Sequence, residues 1–505
     1  MAAMNVTCEE MRALERRAFD AGASAEGLME EAGARMARAV RQFFPEPGVC
    51  FAFYGKGHNG GDALVAARHL AKAGWRVVLR PVFPREALAP LTLQQLDAYG
   101  PNGEELEAWG APGPRIVLDG LLGIGAQRGL HGAMREAASE INRLHDAEGA
   151  AVFALDVPTG LDADTGEAAP DAVRADTTLC VGAAKRGLVA DGAIDFVGRL
   201  AVLPLEALSA QAPEEGLESV ATPEGLARLL PPRRFSTHKG QCGRVGIVAG
   251  SRGFTGAAIM AANAAVRAGA GLVTLFVTPE IYATVAAAAC PEVMVTPVDC
   301  YLAVLDCPLD ALAIGPGLGR EYGPDVLAVC EDFKGPLVVD ADALNLLAGS
   351  PVTLRHAAGP RLLTPHPGEM ARLFPESARL SRRETVEQFL EAQKEARSPV
   401  TLLLKGARTL VAQRSAGGLR LSWNTTGTPG MATGGMGDVL TGTCAALVGQ
   451  GLSLFDAARL GAWVCGRAAE RAIANGGQSQ ESLVATDLLG TLGGAFRDLR
   501  DPGAC

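Results

Sequence analysis

The sequence predicts an α/β protein of two domains, each built on a parallel sheet with both faces covered. Three observations lead there. Apolar runs of strand length alternate with helical runs along most of the chain, the pattern of βα units. Nearly every strand-like run empties into glycine or polar residues at its C-terminal end, the edge on which open α/β sheets bind ligands. At 505 residues the chain is also too long for one ordinary core, and a small, polar stretch from Glu206 to Thr222 interrupts the alternation like a linker. The expected domains are residues 1–218 and 219–505, with the join near Ser219.

Composition narrows the class. The net charge of −10 and the pI near 5.4 argue against nucleic acid or an anionic membrane as partner. The 11 cysteines are odd in number and never spaced C-x-x-C, so they read as single thiols in a reducing compartment rather than zinc or disulfide sites. Met1 to Arg17 has no apolar signal core, and the most apolar region, Gly256 to Val277, is broken by Asn263 and Arg267. A soluble, cytoplasmic protein that spans no membrane is the expectation.

In the first half, Thr7 with Glu10 three residues on forms a capping-box pattern, and Thr7 to Phe44 reads as helices. Val49 to Tyr54 reads as a strand, Gly55 to Asp62 as a loop and Ala63 to Ala73 as a helix. Strands are expected at Arg76–Val82, Arg115–Asp119, Ala151–Asp156 and Thr177–Val181, and a helix at Met134–His145. Three strand ends carry polar clusters. The first is Gly55-Lys56-Gly57-His58-Asn59-Gly60-Gly61-Asp62, which matches G-x-G-x-x-G. The next strand lacks the acid that would hold a ribose, and Asp62 puts negative charge where a pyrophosphate would lie, so an ordinary dinucleotide loop is not indicated. The second is Asp119 to Gly129 and the third Asp156 to Asp162. Asp119, Asp156, Asn59 and Thr159 are hard oxygen donors suited to an alkali or alkaline-earth cation, or else each acid caps its own loop.

The segments GKGHNGGDALVAARHL, LDGLLGIGAQRGL and LDVPTGLDADTG resemble the NAD(P)H-hydrate epimerase domain, with His58 where that family usually has Asn. The resemblance covers nearly all of the first 208 residues and implies a Rossmann-like fold. It also implies a potassium ion on Asn59, Asp119 and Thr159. Hydrate contacts would fall to His58, Asn59, Gly60, Gly61 and Asp62, to Gly123, Ile124, Gly125, Ala126, Gln127, Arg128 and Gly129, and to Asp156. Asp156 is the expected proton-transfer residue.

In the second half, strands are expected at Arg244–Ala249, Leu272–Val277, Leu312–Ile314, Leu337–Val339, Leu362–Thr364 and Thr401–Leu404. They empty into Gly250–Gly256, then Gly315–Gly319, Asp340–Asn345, Pro365–Glu369 and Lys405–Thr409. The densest stretch is Thr433-Gly434-Gly435-Met436-Gly437-Asp438, followed by the helical run Val439–Leu447. Glycine is unfavourable inside a helix by about 1 kcal/mol relative to alanine. The stretch therefore reads as a loop feeding a helix N-terminus, which suits a phosphate. Asp438 there could cap the helix or act as a base toward a hydroxyl that attacks phosphorus. Asp340 and Asp342 could help hold Mg²⁺ or cap their helix. His366, between two prolines, and Lys405, before a glycine, could be structural or could bind ligand. No G-x-x-x-x-G-K-[ST] occurs, so a P-loop is not indicated.

The order of parts ending in GGMGD resembles the ribokinase-like kinases. HKGQCGRVGIVAGS, AIGPGLG, VVDADALN, LLTPHPGEMARL, LLKGARTLV and TGGMGDVLTG together resemble the ADP- or ATP-dependent NAD(P)H-hydrate dehydratase, over about Pro223 to Leu499. The resemblance implies hydrate contacts at Ala257, Gly317, His366 and Asp438. It implies nucleotide contacts at Lys405, Gly406, Ala407, Arg408, Thr409 and Gly437, with Asp438 catalytic. Met436 replaces the usual threonine of the glycine motif. The implied function is repair of NADH and NADPH hydrates, with ADP or ATP as co-substrate and Mg²⁺. Domains of this kind are often assembled, so a homo-oligomer is expected. The alternative is a ribokinase-like small-molecule kinase fused to a non-catalytic ligand-binding domain, which would release a stable phosphorylated product.

Overall fold

The computed structural model describes residues 3–100, 113–125, 129–211, 218–230 and 232–501. The chain divides into two compact units, one running to Thr222 and the other starting at Pro223.

The strands of the first unit are, in chain order, β1 (Ala3–Val6), β2 (Val49–Tyr54), β3 (Arg76–Pro81), β4 (Arg115–Gly120), β5 (Ala151–Leu155), β6 (Thr177–Val181), β7 (Ala184–Lys185), β8 (Arg199–Leu203) and β9 (Glu218–Val220). The main sheet is parallel throughout, in the order β3-β2-β4-β5-β6-β8. Every residue of β2 is buried, as a strand covered on both faces requires. One face packs on helices Ala25–Phe43 and His58–Lys72, through Met36, Val40, Leu64 and Leu70. The other packs on helix Gly132–Glu148, through Ala138, Ile141 and Leu144. β1 lies outside this sheet, parallel to β7 and antiparallel to β9. The capping box closes as expected, with Glu10 N–H donating to Thr7 Oγ1 at 3.1 Å and Thr7 N–H donating to Glu10 Oε2 at 2.7 Å.

The second unit continues with β10 (Arg244–Val248), β11 (Leu272–Val277), β12 (Val293–Pro297), β13 (Ala311–Ile314), β14 (Leu337–Val339), β15 (Arg361–Leu363), β16 (Val400–Leu404), β17 (Leu410–Ser415) and β18 (Gly418–Trp423). The order is β12-β11-β10-β13-β14-β15-β16-β17-β18, parallel up to β16 and antiparallel beyond it. The chain runs outward from β10 to β12, then returns to place β13 on the other side of β10. The crevice of a doubly wound sheet opens at such a reversal. Helices Thr255–Arg267, Met436–Gly449 and Leu454–Ala474 pack across the sheet. The first two touch backbone to backbone: a side chain on Gly442 would start 1.9 Å from the Ala261 carbonyl oxygen. No helix among the described residues is long and apolar enough to cross a membrane.

Two expected loops are helical instead. The helix expected from Ala63 starts at His58, so Asn59 to Asp62 form its first turns. The helix expected from Val439 starts at Met436, so Gly437 and Asp438 lie in its first turn. The reason in the first case is close packing. A side chain on Gly60 would start 2.1 Å from the Gly55 carbonyl oxygen, and one on Gly61 would meet Met29 at 2.5 Å. That approach outweighs the helix penalty of two glycines. The expected linker is also partly ordered, into helix Glu206–Ser209 and strand β9, whereas residues 212–217 lie outside the described residues.

Arg361, at the start of β15, is fully buried. Its guanidinium donates to the carbonyls of Cys330, Glu331, Phe333, Gly335 and Pro360, at 2.7 to 3.4 Å. It thus satisfies the C-terminal carbonyls of helix Gly323–Asp332. Arg361→Met would strand buried acceptors, at roughly 1–3 kcal/mol each. We expect it to lower the denaturant stability of the second unit by about 3 kcal/mol or more, and a loss below about 1 kcal/mol would contradict this account.

Candidate functional site

In the first unit, β2, β4 and β5 are neighbours, so their three polar ends meet on one sheet edge. Asn59 Nδ2 donates to the Leu122 carbonyl at 2.8 Å. Leu122 N–H donates to Thr159 Oγ1 at 3.1 Å, and that hydroxyl donates to Asp119 Oδ1 at 2.7 Å. Thr159 N–H and Leu121 N–H also donate to Asp119, at 2.8 and 3.3 Å. Asp119 is fully buried, and this burial pushes its carboxyl up to about 6 although the hydrogen bonds from Thr159 and Leu121 pull the other way. Asn59 Oδ1 is buried and accepts no hydrogen bond. An orphaned amide oxygen beside a buried carboxylate and a hydroxyl oxygen is a donor set that fits a hard monovalent cation. Among the described residues no cluster of three or more His, Cys, Asp or Glu offers a transition-metal site.

Asp156 adopts φ 66°, a left-handed conformation that costs a non-glycine residue roughly 1 kcal/mol. The start of a Gly123 side chain would lie 3.7 Å from Asp156 Oδ2 and 3.5 Å from Asn59 Cβ, so Asn59, Gly123 and Asp156 converge. Burial pushes the Asp62 carboxyl well above its usual range, with Asp156 and Glu15 adding to the effect. His58 is exposed at the helix start, whereas Gly60 and Gly61 are buried in packing. The Ile124 carbonyl accepts from Arg12, Gly125 is open, and Gly129 lies against His131. Ala126, Gln127 and Arg128 lie outside the described residues. The sequence reading missed Lys185, which ion-pairs with Asp156 from a 1% exposed position. The available signal was a lone lysine among small residues just after a strand.

In the second unit, β10, β13, β14, β15 and β16 are consecutive neighbours, so five polar strand ends share one edge. At the β10/β13 crevice Gly317 adopts φ 60°, and a side chain there would collide with Ala257 and Phe254 at 2.9 and 3.0 Å. Ser251 Oγ donates to the Gly317 carbonyl at 2.8 Å. Across the edge, helix Met436–Gly449 is capped by Gly435 at φ 89°. Asp438 is therefore not the cap, and its carboxyl stands in the first turn. Burial pushes it up to about 6, with Asp340 adding and Lys405 opposing.

Lys405 Nζ lies 3.3 Å from where a Gly437 side chain would begin, and Asp340 Oδ2 lies 3.5 Å from it. Lys405 Nζ donates to Asp340 Oδ1 at 2.7 Å and pairs with Glu369 at 3.7 Å. Thr441 Oγ1 donates to Asp340 Oδ2 at 2.8 Å. Burial alone would push the Lys405 ammonium down, but Asp340 and Glu369 more than reverse this and it is raised. His366 caps its helix: its Nδ1 accepts from Gly368 and Glu369 N–H at 3.0 and 3.3 Å, and Glu369 Oε2 accepts from His366 N–H at 2.8 Å. The half-exposed ring is therefore structural at Nδ1, and its Nε2 lies 3.4 Å from Glu369 Oε1. In the β16 loop Gly406 and Ala407 are exposed and Thr409 Oγ1 donates to the Gly406 carbonyl at 3.1 Å, but Arg408 is buried and its carbonyl accepts from Arg382 at 2.6 Å. Asp342 accepts from Gly319 N–H at 2.8 Å. Asp340 is engaged by Lys405 and Thr441. Glu369 and Thr441 were not singled out from sequence, although Glu369 belongs to the same strand-end cluster as His366.

The arrangement places a lysine, a helix N-terminus and a carboxylate of raised pKa around one space, which is equipment for moving a phosphoryl group. Residues 245–492 match the family model described as NAD(P)H-hydrate dehydratase, and residues 25–187 match that described as YjeF-related protein N-terminus. The bifunctional NAD(P)H-hydrate repair enzyme of Gloeobacter violaceus is 38% identical over 88% of this chain and 89% of its own. That of Escherichia coli is 36% identical over 96% of this chain and 92% of its own. A solved structure of the ADP/ATP-dependent NAD(P)H-hydrate dehydratase of Bacillus subtilis, co-crystallized with ATP/Mg²⁺, is 26% identical and covers 55% of this chain and 98% of its own, with a TM-score of 0.46. At such identity over nearly the whole length of both relatives, the chain belongs to the family of bifunctional NAD(P)H-hydrate repair enzymes.

Proposed function

We propose that the two units perform successive steps in recovering NADH and NADPH from their ring hydrates. The first interconverts the R and S epimers at C6, and the second dehydrates the S epimer at the expense of ADP or ATP. The observation that carries this reading is the position of Asp438, in the first turn of a glycine-led helix and opposite Lys405, with its carboxyl raised to about 6.

Hydroxide leaves carbon poorly and phosphate leaves well. Asp438, as carboxylate, takes the proton of the C6 hydroxyl while that oxygen attacks the terminal phosphoryl group of the nucleotide. Lys405 and the first-turn amides of Met436 and Gly437 offset the charge that collects on the transferring phosphoryl oxygens. Phosphate then departs from C6, driven by the lone pair of the ring nitrogen, and loss of a C5 proton restores the reduced nicotinamide. Bound with the nucleotide, Mg²⁺ would supply positive charge that screens its phosphates. Asp340 and Glu369 hold the lysine in place. Ala257 and Gly317, packed closely at the crevice, bring backbone up to the hydrate, and His366 offers the exposed half of its ring beside Glu369.

In the first unit Asp156 takes the C6 hydroxyl proton as the C6–N1 bond opens to an aldehyde, the ring nitrogen is protonated, and reclosure on the other face gives the other epimer. A potassium ion on Asn59, Asp119 and Thr159 would supply the positive charge that the buried Asp119 carboxylate lacks.

Incubating an R/S hydrate mixture with enzyme, Mg²⁺, K⁺ and nucleotide should return all of it as reduced nicotinamide, with one phosphate released per molecule. A stable phosphorylated product would overturn the dehydratase reading. Asp438→Asn should lower dehydration by about 10²–10⁴-fold, the range of a lost general base, with R/S interconversion intact. The raised carboxyl also sets the sign of the pH dependence. The basic form is present above a pH of about 6, so the dehydration rate should fall as pH drops through that value. A flat profile between pH values of roughly 5 and 7 would remove Asp438 from that role. K⁺ should raise the unfolding midpoint of the first unit, by about 2.7 kcal/mol at a hundred times its Kd. The same concentration of choline should not, and Asn59→Ala should abolish the effect.

A further inference from the structure

Lys185 ends the two-residue strand β7, and its register is fixed by parallel pairing with β1, Val6 opposite Lys185 and Asn5 opposite Ala184. Its side chain is 1% exposed, so it cannot reach a ligand itself. The ammonium donates to Asp156 Oδ1, to the Val181 carbonyl at 3.1 Å and to Cys180 Sγ at 3.4 Å, which uses all three of its protons. Burial alone would push its pKa down, but the Asp156 carboxylate and then Cys180 more than reverse this, so the group stays charged.

Asp156 is held unevenly. Oδ1 accepts from Lys185 and from Val181 N–H at 3.2 Å, with the Cys180 thiol at 3.9 Å. Among the described residues nothing donates to Oδ2, the oxygen that faces Gly123. The residue keeps a left-handed backbone that only its surroundings can enforce. Asp62 and Glu15 also act on Asp156 electrostatically, as does Cys180, and His58 lies close enough to act on Glu15. Lys185 is the one buried ammonium within this group of acids.

We propose that Lys185 is a positioning residue for epimerisation: it clamps Oδ1 of Asp156, leaving Oδ2 aimed at the hydrate. The proposal rests on the reading of Asp156 as the proton acceptor. A side chain that served only to fill the core would not need a charge, because a buried ion pair is no more stabilising than apolar residues of the same volume.

The test follows equilibration of purified R hydrate by the full-length protein without nucleotide, so that dehydration does not run. Lys185→Met should lower kcat by about a hundredfold, within the range of a general base, with KM changed less than about threefold. Lys185→Arg should restore part of the rate. In an Asp156→Asn background, Lys185→Met should cost nothing further. A Lys185→Met enzyme at the wild-type rate, alongside an inactive Asp156→Asn, would overturn the proposal alone. An active Asp156→Asn would instead overturn the base assignment beneath it. If Lys185→Met does not fold, Cys180→Ala removes one acceptor of the ammonium and keeps the charge. It should then lower kcat several-fold at constant KM, and an unchanged kcat would count against Lys185.

Discussion

Each unit keeps an ammonium and a carboxylate out of water at the C-terminal edge of its sheet, and a buried charge must have its hydrogen-bonding groups met. In the first unit the pair is Lys185 with Asp156, and in the second Lys405 with Asp340. Desolvation taxes both partners heavily, and their mutual attraction recovers that cost only when every remaining donor and acceptor is used. The surroundings meet this condition for the Lys185 ammonium and for Asp340, whereas Oδ2 of Asp156 accepts from nothing among the described residues. Val181 and Cys180 complete the shell of Lys185, and Glu369 lies beside Lys405 while Thr441 serves the free oxygen of Asp340. Where a buried charge serves the fold alone, as Arg361 does, backbone carbonyls fill its shell instead.

The parallel sheet decides where such pairs can stand. Strand interiors are apolar on both faces, so charged groups collect at the C-terminal ends, next to the N-termini of the helices that follow. Asp340 follows β14, Glu369 lies just beyond β15, and Lys405 follows β16. These three strands are adjacent, so residues 65 positions apart in sequence meet in one hydrogen bond. Small residues then let the helices approach. Gly442 rests on the Ala261 carbonyl, which ties the helix of Asp438 to the helix that carries Ala257.

This logic made much of the molecule legible in one dimension. β2, β6, β11 and β14 run as the hydrophobic pattern predicts, β15 is shifted by one residue at both ends, and the other anticipated strands differ by one residue at one end. The three polar clusters of the first unit could be read as one site because strand ends must share an edge. Helix starts were harder. His58 to Asp62 and Met436 to Asp438 read as loop because glycine disfavours helix, and the tertiary contacts that reverse that preference are not local. β1, β7 and β9 are too short for periodicity to register. Lys185 was hidden for the same reason. Its partner lies 29 residues earlier, and only the β1–β7 pairing turns it inward. His366 was weighed as either structural or functional, and the structure gives its Nδ1 to the helix cap while leaving the rest of the ring half-exposed.

Competing effects set the carboxyl of Asp438, the base of the proposed reaction. Burial drives its carboxyl upward and the neighbouring Asp340 drives it further, while Lys405 pulls it down. Had Asp438 been the helix cap, its oxygens would have accepted backbone N–H groups, which favour the charged form and weaken it as a base. Gly435 takes the cap instead, at a backbone angle only glycine adopts cheaply, so the carboxylate remains uncommitted. Lys405 is not free to neutralise it, because Asp340 and Glu369 hold the ammonium on their side. A carboxyl near 6 is ionised at neutral pH yet more basic than an exposed aspartate. That combination suits accepting a hydroxyl proton at the moment the oxygen bonds to phosphorus.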